Sequence, residues 1–295
     1  MSLEVVIKQK LFGRKPMPLE VILGEDLYYG NYENDHLSVG EMGEDEILVY
    51  NPNRIGRGFS VVWTPEEKKT VTLRLLQPTT TRELQDFYAA VERMAKHWEG
   101  SSLEVEGQKQ SLEVFLDSYQ EMMEFNLKAL KDFAGQVLDG TYNTLSLYAA
   151  KWPMSMGQEE ATLFLHNPHL FEEWLHEKQS LDACYESPQF FNLDHQLVGM
   201  FFLSDWTSLI YPDVPTVPPG VLDPRTGKRL QCDKWQVTMI IGSEPEVLGQ
   251  LEYSDFLRLL PAEKKSKYDG GHFLLAQLTE DEIRTMVDKG KGEDS

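Results

Sequence analysis

Val71, Leu73 and Leu75 occupy every second position, the period of a strand with one buried face. After Gln77-Pro78 the period changes. Leu84, Phe87, Tyr88, Val91, Met94, Ala95 and Trp98 recur three or four apart, which predicts a helix whose apolar stripe faces a core. Thr80 and Glu83 stand at capping-box spacing at its start. Gly100-Ser101-Ser102 ends it, and Leu103-Glu104-Val105 alternates again, so 71–106 reads as strand–helix–strand. Upstream, 46–51 and 58–63 also look like strands and, with 71–76, predict an antiparallel meander.

A second long helix is predicted over 112–138, where Leu116, Tyr119, Met123, Leu127, Leu130, Ala134 and Val137 share a face before Asp139-Gly140. Met122 and Met123 in this stripe read as gap-filling core. Further on, 235–241 reads as a strand, 254–260 as a short helix stopped by Pro261, and 272–277 as a strand after the turn Asp269-Gly270-Gly271. Thr279 and Glu282 repeat the capping-box spacing, so 273–287 echoes 73–87. Five prolines between Tyr211 and Pro224 make that stretch a loop. The pattern gives an α+β fold, mostly antiparallel sheets with helices packed on them. It divides into two loosely related halves, 1–140 and 141–295, which pack separately or as one unit.

With 295 residues, 41% of them hydrophobic, the chain buries a substantial core without needing disulfides or metals. The formal net charge of −20 changes the picture because it is regional. Residues 16–53 hold nine carboxylates and no Lys or Arg, and 152–224 hold eleven against Lys178 alone. Such surfaces repel phosphate backbones and anionic headgroups and attract cations. A basic protein partner is therefore expected, and nucleic acid and membranes are not. The longest apolar run, 197–203, is too short for a membrane span. The first residues read as a strand and not as a secretory signal. With two cysteines and no Cys-x-x-Cys, the expected compartment is the cytoplasm.

Candidate chemistry is sparse. Four of the seven histidines, His166, His169, His176 and His195, fall in the second acidic segment. With Asn167 as cap and Pro168 at the first position, a helix would place His169, Glu172, Glu173 and His176 on one side, opposite Leu170, Phe171, Trp174 and Leu175. Glu173 and His176 have the Glu-x-x-His spacing of carboxylate-bridged metal sites. His166, His169, Glu173 and His176 are thus the candidate ligands for a divalent metal ion. The same face is also what a solvated surface helix presents. Arg54 and Arg57, set among Gly56 and Gly58, form a candidate anion site, because glycine frees amides beside guanidinium groups. The competing reading is a tight turn whose arginines answer nearby carboxylates. Gly-x-Ser-x-Gly, P-loop, Gly-x-Gly-x-x-Gly and His-Glu-x-x-His motifs do not occur. Cys184, between Asp182 and Glu186, reads as a buried small residue with a raised pKa.

The segment Asn51-Pro52-Asn53-Arg54-Ile55-Gly56-Arg57-Gly58 and the strand–Thr–helix unit over 71–99 resemble a family of roughly 300-residue proteins from Gram-positive bacteria, known as a domain of unknown function. The resemblance covers most of the chain and implies an intracellular bacterial protein without assigned activity. The expected function is a non-enzymatic binding or regulatory protein, with no resident cofactor and with acidic surfaces for a basic partner. The alternative is a metal-dependent enzyme, such as a hydrolase, centred on the His/Glu cluster at 166–176.

Overall fold

The computed structural model describes residues 1–10, 14–33, 35–66, 69–218, 220–242 and 246–292. The chain divides into two compact units, Met1–Leu181 and Asp182–Ser295. Residues 141–181, grouped with the C-terminal half on their sequence pattern, fold into the first unit. Among the hydrogen bonds that tie them there are Ala150 N–H to the Gly56 carbonyl at 3.0 Å and Leu37 N–H to the Lys151 carbonyl at 3.1 Å.

The first unit is built on an antiparallel sheet. Its spatial order is His36–Val39, Tyr28–Glu33, Glu46–Tyr50, Phe59–Val62, Thr70–Leu76, Ser2–Lys8, Ser102–Val105 and Gln108–Gln110. The meander over 46–76 is present, each strand paired to the next. The strand–helix–strand unit is present too, with a difference. Ser2–Lys8 pairs antiparallel with both Thr70–Leu76 and Ser102–Val105 and so separates the two strands of the unit. Alternation fixes the faces: Val5, Val49, Val61 and Leu73 are buried on the side where helix Thr81–His97 packs with Phe87, Val91 and Met94. Burying a face of this size is what stabilises the sheet.

The long helix expected over 112–138 is two helices, Leu112–Asp117 and Tyr119–Leu138, meeting at Ser118. The Ser118 hydroxyl explains the interruption: its oxygen lies 2.6 Å from the Phe115 carbonyl, a local bond that competes with the helix ladder. The bend brings Phe115 to stack on Tyr88 at 4.3 Å between ring centres. Asn126, an unremarkable residue in the sequence, is buried and bonds both the amide and the carbonyl of Thr79 at 2.8 Å. A hairpin, Leu145–Tyr148 and Pro153–Met156, and helices Gln158–His166 and Leu170–Gln179 complete the unit.

The second unit holds two four-stranded sheets. One runs Gln189–Leu193, Gln196–Ser204, Lys234–Ile241, Glu246–Glu252; the other runs Cys184–Tyr185, Leu209–Pro212, His272–Leu275, Lys265–Lys267. Each contains a single parallel pairing among antiparallel ones, so the α+β class holds throughout the described residues. Phe201, Tyr211, Met239, Phe256, Phe273 and Ile283 form its core with helices Tyr253–Leu259 and Glu280–Gly292. The Thr279–Glu282 capping box closes both ways, Thr279 N–H to the Glu282 carboxylate at 2.7 Å and Glu282 N–H to the Thr279 hydroxyl at 3.3 Å.

Candidate functional site

On the eight-stranded sheet, the positions between the buried ones point away from the helix-covered face. Leu48, Ser60, Arg74 and Leu76 share this outer face, Leu48 opposite Ser60 and Ser60 opposite Arg74 in register. They floor a cavity of about 470 Å³, within the size range of small-ligand sites. Glu44, Asp45 and Glu46, from the first acidic segment, line it together with Arg57 and Tyr148. The three carboxylate residues are exposed, and none makes an ion pair among the described residues.

Arg57 is buried, at 6% exposure. Its Nε donates to the Tyr148 carbonyl and its Nη1 to the Pro78 carbonyl, both at 2.7 Å. Burial lowers its pKa to about 10, with Glu83 and then Tyr32 opposing the shift, so it is still a cation at neutral pH. No carboxylate lies within 4 Å of the guanidinium among the described residues. Glu83 is engaged elsewhere. Its carboxylate accepts from Arg57 N–H at 3.1 Å, from Gly58 N–H at 2.5 Å and from the Thr79 hydroxyl. Burial pushes Glu83 upward, and those three bonds and the Arg57 charge hold it back.

The glycines of this loop serve that contact. A Cβ on Gly56 would stand 2.8 Å from a Glu83 carboxylate oxygen, and Gly58 adopts φ +72°, the left-handed region. The freed amides do receive an anion, and it is the chain's own Glu83. Arg54 is not among the residues lining this cavity and pairs with Asp86 at 2.8 Å; of the two predicted arginines, Arg57 is the one that lines it.

The His/Glu face is dispersed. Asn167 ends the helix Gln158–His166 instead of starting the next one, which begins at Leu170 with His169 as its cap. His166, His169 and Glu173 are exposed. His176 turns to the 54–58 loop, its Nδ1 accepting from Ile55 N–H at 3.0 Å. Glu172 pairs with Arg82 at 2.9 Å. Among the described residues no group of three or more His, Cys, Asp or Glu side chains is gathered for a metal ion. His195, at φ +66°, sits in the turn after Asp194 and is exposed.

Cys184, on an edge strand, is exposed and not buried as expected. Its thiol is nonetheless raised, by partial burial and then by Glu186, with a smaller contribution from Asp182. The sequence reading missed Tyr148, whose carbonyl holds Arg57, and the pair Asp269–His272, where Nδ1 lies 2.8 Å from the carboxylate. The second was legible only as a turn, since an i,i+3 spacing around two glycines signals the turn before it signals the pair.

The sequence model of a family described as a domain of unknown function (DUF4299) matches residues 2–286. The chain belongs to this family. No curated protein and no solved structure matches it. The DUF4299 match runs through both compact units and takes in the 51–58 loop and the cavity walls, so the resemblance read at those residues is to an uncharacterised family. No helix among the described residues of this DUF4299 chain is long and apolar enough to cross a membrane.

Proposed function

We propose that this is a non-enzymatic cytoplasmic binding or regulatory protein whose acidic surface receives a basic partner, and that the cavity of the first unit seats a cationic group of that partner. One observation carries the reading: Glu44, Asp45 and Glu46 line the cavity without cationic neighbours in ion-pair contact among the described residues. Unpaired carboxylates beside a concave, partly apolar site raise the local concentration of cations and favour their capture. The segment 16–53 that supplies them has no Lys or Arg of its own. The metal-dependent alternative needs His166, His169, Glu173 and His176 to converge, and His176 is already engaged with Ile55.

The test is calorimetric titration of the full chain with a lysine-rich peptide amide. Binding should weaken as salt rises through about 0.15 M, where charges are screened beyond about 8 Å. The variant Glu44→Gln/Asp45→Asn/Glu46→Gln should lose about tenfold in affinity or more. Unchanged affinity in that variant, or no binding by the parent protein, would sink the reading.

A further inference from the structure

The cavity has two poles. Besides Glu44, Asp45 and Glu46 it is lined by Arg57 and Arg74; Glu46 stands opposite Val62 in register, whereas Arg57 lies beyond Phe59 at the other end of that strand pairing. Arg57 is nearly enclosed, and its hydrogen-bond acceptors, the Tyr148 and Pro78 carbonyls, are uncharged. Glu83, whose charge acts on Arg57, spends its oxygens on two backbone amides and a hydroxyl and makes no ion pair with the guanidinium. Arg57 Nη2 makes no hydrogen bond among the described residues. Arg74 stands on the outer face of its strand, opposite Glu4 in register, and makes no ion pair among the described residues. Glu83 offsets part of the cost of burying this cation, and an anion in direct contact with the guanidinium would offset more.

We infer that Arg57 and Arg74 seat a carboxylate, so that the ligand of this cavity is a basic zwitterion, either a free basic amino acid or the C-terminal basic residue of a peptide. This rests on the binding role proposed for the acidic wall and adds the second pole. The bonds at Nε and Nη1 fix the Arg57 guanidinium in place and leave Nη2 to donate to a carboxylate, with Arg74 as the second charged donor. A ligand of about one to a few residues fits a cavity of this size. Its ammonium or guanidinium tail lies toward Glu44, Asp45 and Glu46, and its carboxylate lies toward Arg57.

Four probes separate the poles: L-lysine, its decarboxylated counterpart cadaverine, and a short peptide ending in lysine with either a free or an amidated C-terminus. Titrations use the full chain. The expected result is that L-lysine or the free-acid peptide binds at least about tenfold more tightly than the partner lacking the carboxylate. The ratio between the two carboxylates then tells free amino acid from peptide terminus. Arg74→Gln, an exposed substitution, should shrink the difference. Arg57→Lys should do the same if it folds. Equal affinity for acid and amide forms, with the acidic wall still required, would overturn the carboxylate seat and leave the acidic-surface reading standing. If no probe binds, both fall. A difference that survives Arg74→Gln and Arg57→Lys in folded protein would place the carboxylate elsewhere and overturn the assignment.

Discussion

The Glu83 carboxylate accepts the Arg57 amide hydrogen at 3.1 Å across 26 residues of chain. This bond joins the first turn of helix Thr81–His97 to the loop that carries Arg57 into the cavity. Glu83 occupies the position from which a capping-box carboxylate would reach back to its own N-cap residue. Thr80 does accept the Glu83 amide at 3.0 Å, but the carboxylate goes to Arg57, Gly58 and Thr79 instead. The helix start is thereby the anchor of the site.

Glu83→Ala should therefore cost more than an ordinary cap. It leaves two buried amides and a hydroxyl without their acceptor, about 3 kcal/mol or more. Thr80→Ala removes the cap alone and should cost about 1 kcal/mol. Urea unfolding of both variants measures the difference, and equal losses would show that the Glu83 contacts contribute nothing beyond capping.

The histidines of the second acidic segment should separate by the same method. His176→Ala strips the acceptor from Ile55 N–H and should destabilise by about 1–2 kcal/mol. His166→Ala and His169→Ala alter exposed positions and should stay within about 0.5 kcal/mol. A loss for His169→Ala that depends on added chelator would restore the metal reading.

Phe87 and Trp98 lie at 0% and 1% exposure in the core of the first unit. Phe87 meets Phe59 edge-on at 5.4 Å. Truncating either to Ala should cost about 3–5 kcal/mol. Phe125, at 40% exposure on the helix Tyr119–Leu138, should tolerate the same change within about 0.5 kcal/mol. Denaturation midpoints that failed to separate these positions would contradict the burial.

The second unit should show a pH dependence of its own. Burial lifts the Glu186 carboxyl from 4.5 to about 7, against the opposing Phe202 amide. Between those values the folded state keeps a proton that the unfolded chain has released. The resulting stabilisation is fully present below 4.5 and is lost as pH rises through about 7. Thermal melts at about pH 5 and about pH 8 should therefore differ, and Glu186→Gln should flatten the difference and be the more stable form at the higher pH. A variant with the parent's pH profile would show that Glu186 is not the group responsible.

Much of the local structure was legible in the residues themselves. Period-two apolar positions gave the strands Phe59–Val62 and Thr70–Leu76, and three- and four-residue steps gave the helix Thr81–His97, because backbone geometry dictates which neighbours share a face. The break at Ser118 was not legible, since a serine hydroxyl bonds its own helix or points away depending on what packs beside it. Asn167 shows the same ambiguity: it is an equally good N-cap or helix end in composition, and its N–H, bonded to the Leu163 carbonyl at 2.8 Å, places it at the end.

The sequence by itself determined the α+β class, the regional charge and the candidacy of Arg57 among its glycines, all of which depend on composition and short-range spacing. Only the tertiary structure decided that Ser2–Lys8 separates the strands flanking the central helix, that residues 141–181 join the first unit, and that Arg57 faces a cavity while Arg54 pairs with Asp86. These follow from contacts between segments far apart in the chain, such as Ile55 with His176 and Arg57 with Tyr148. Their selection depends on how whole elements bury their apolar faces together, a condition that no local window of residues expresses.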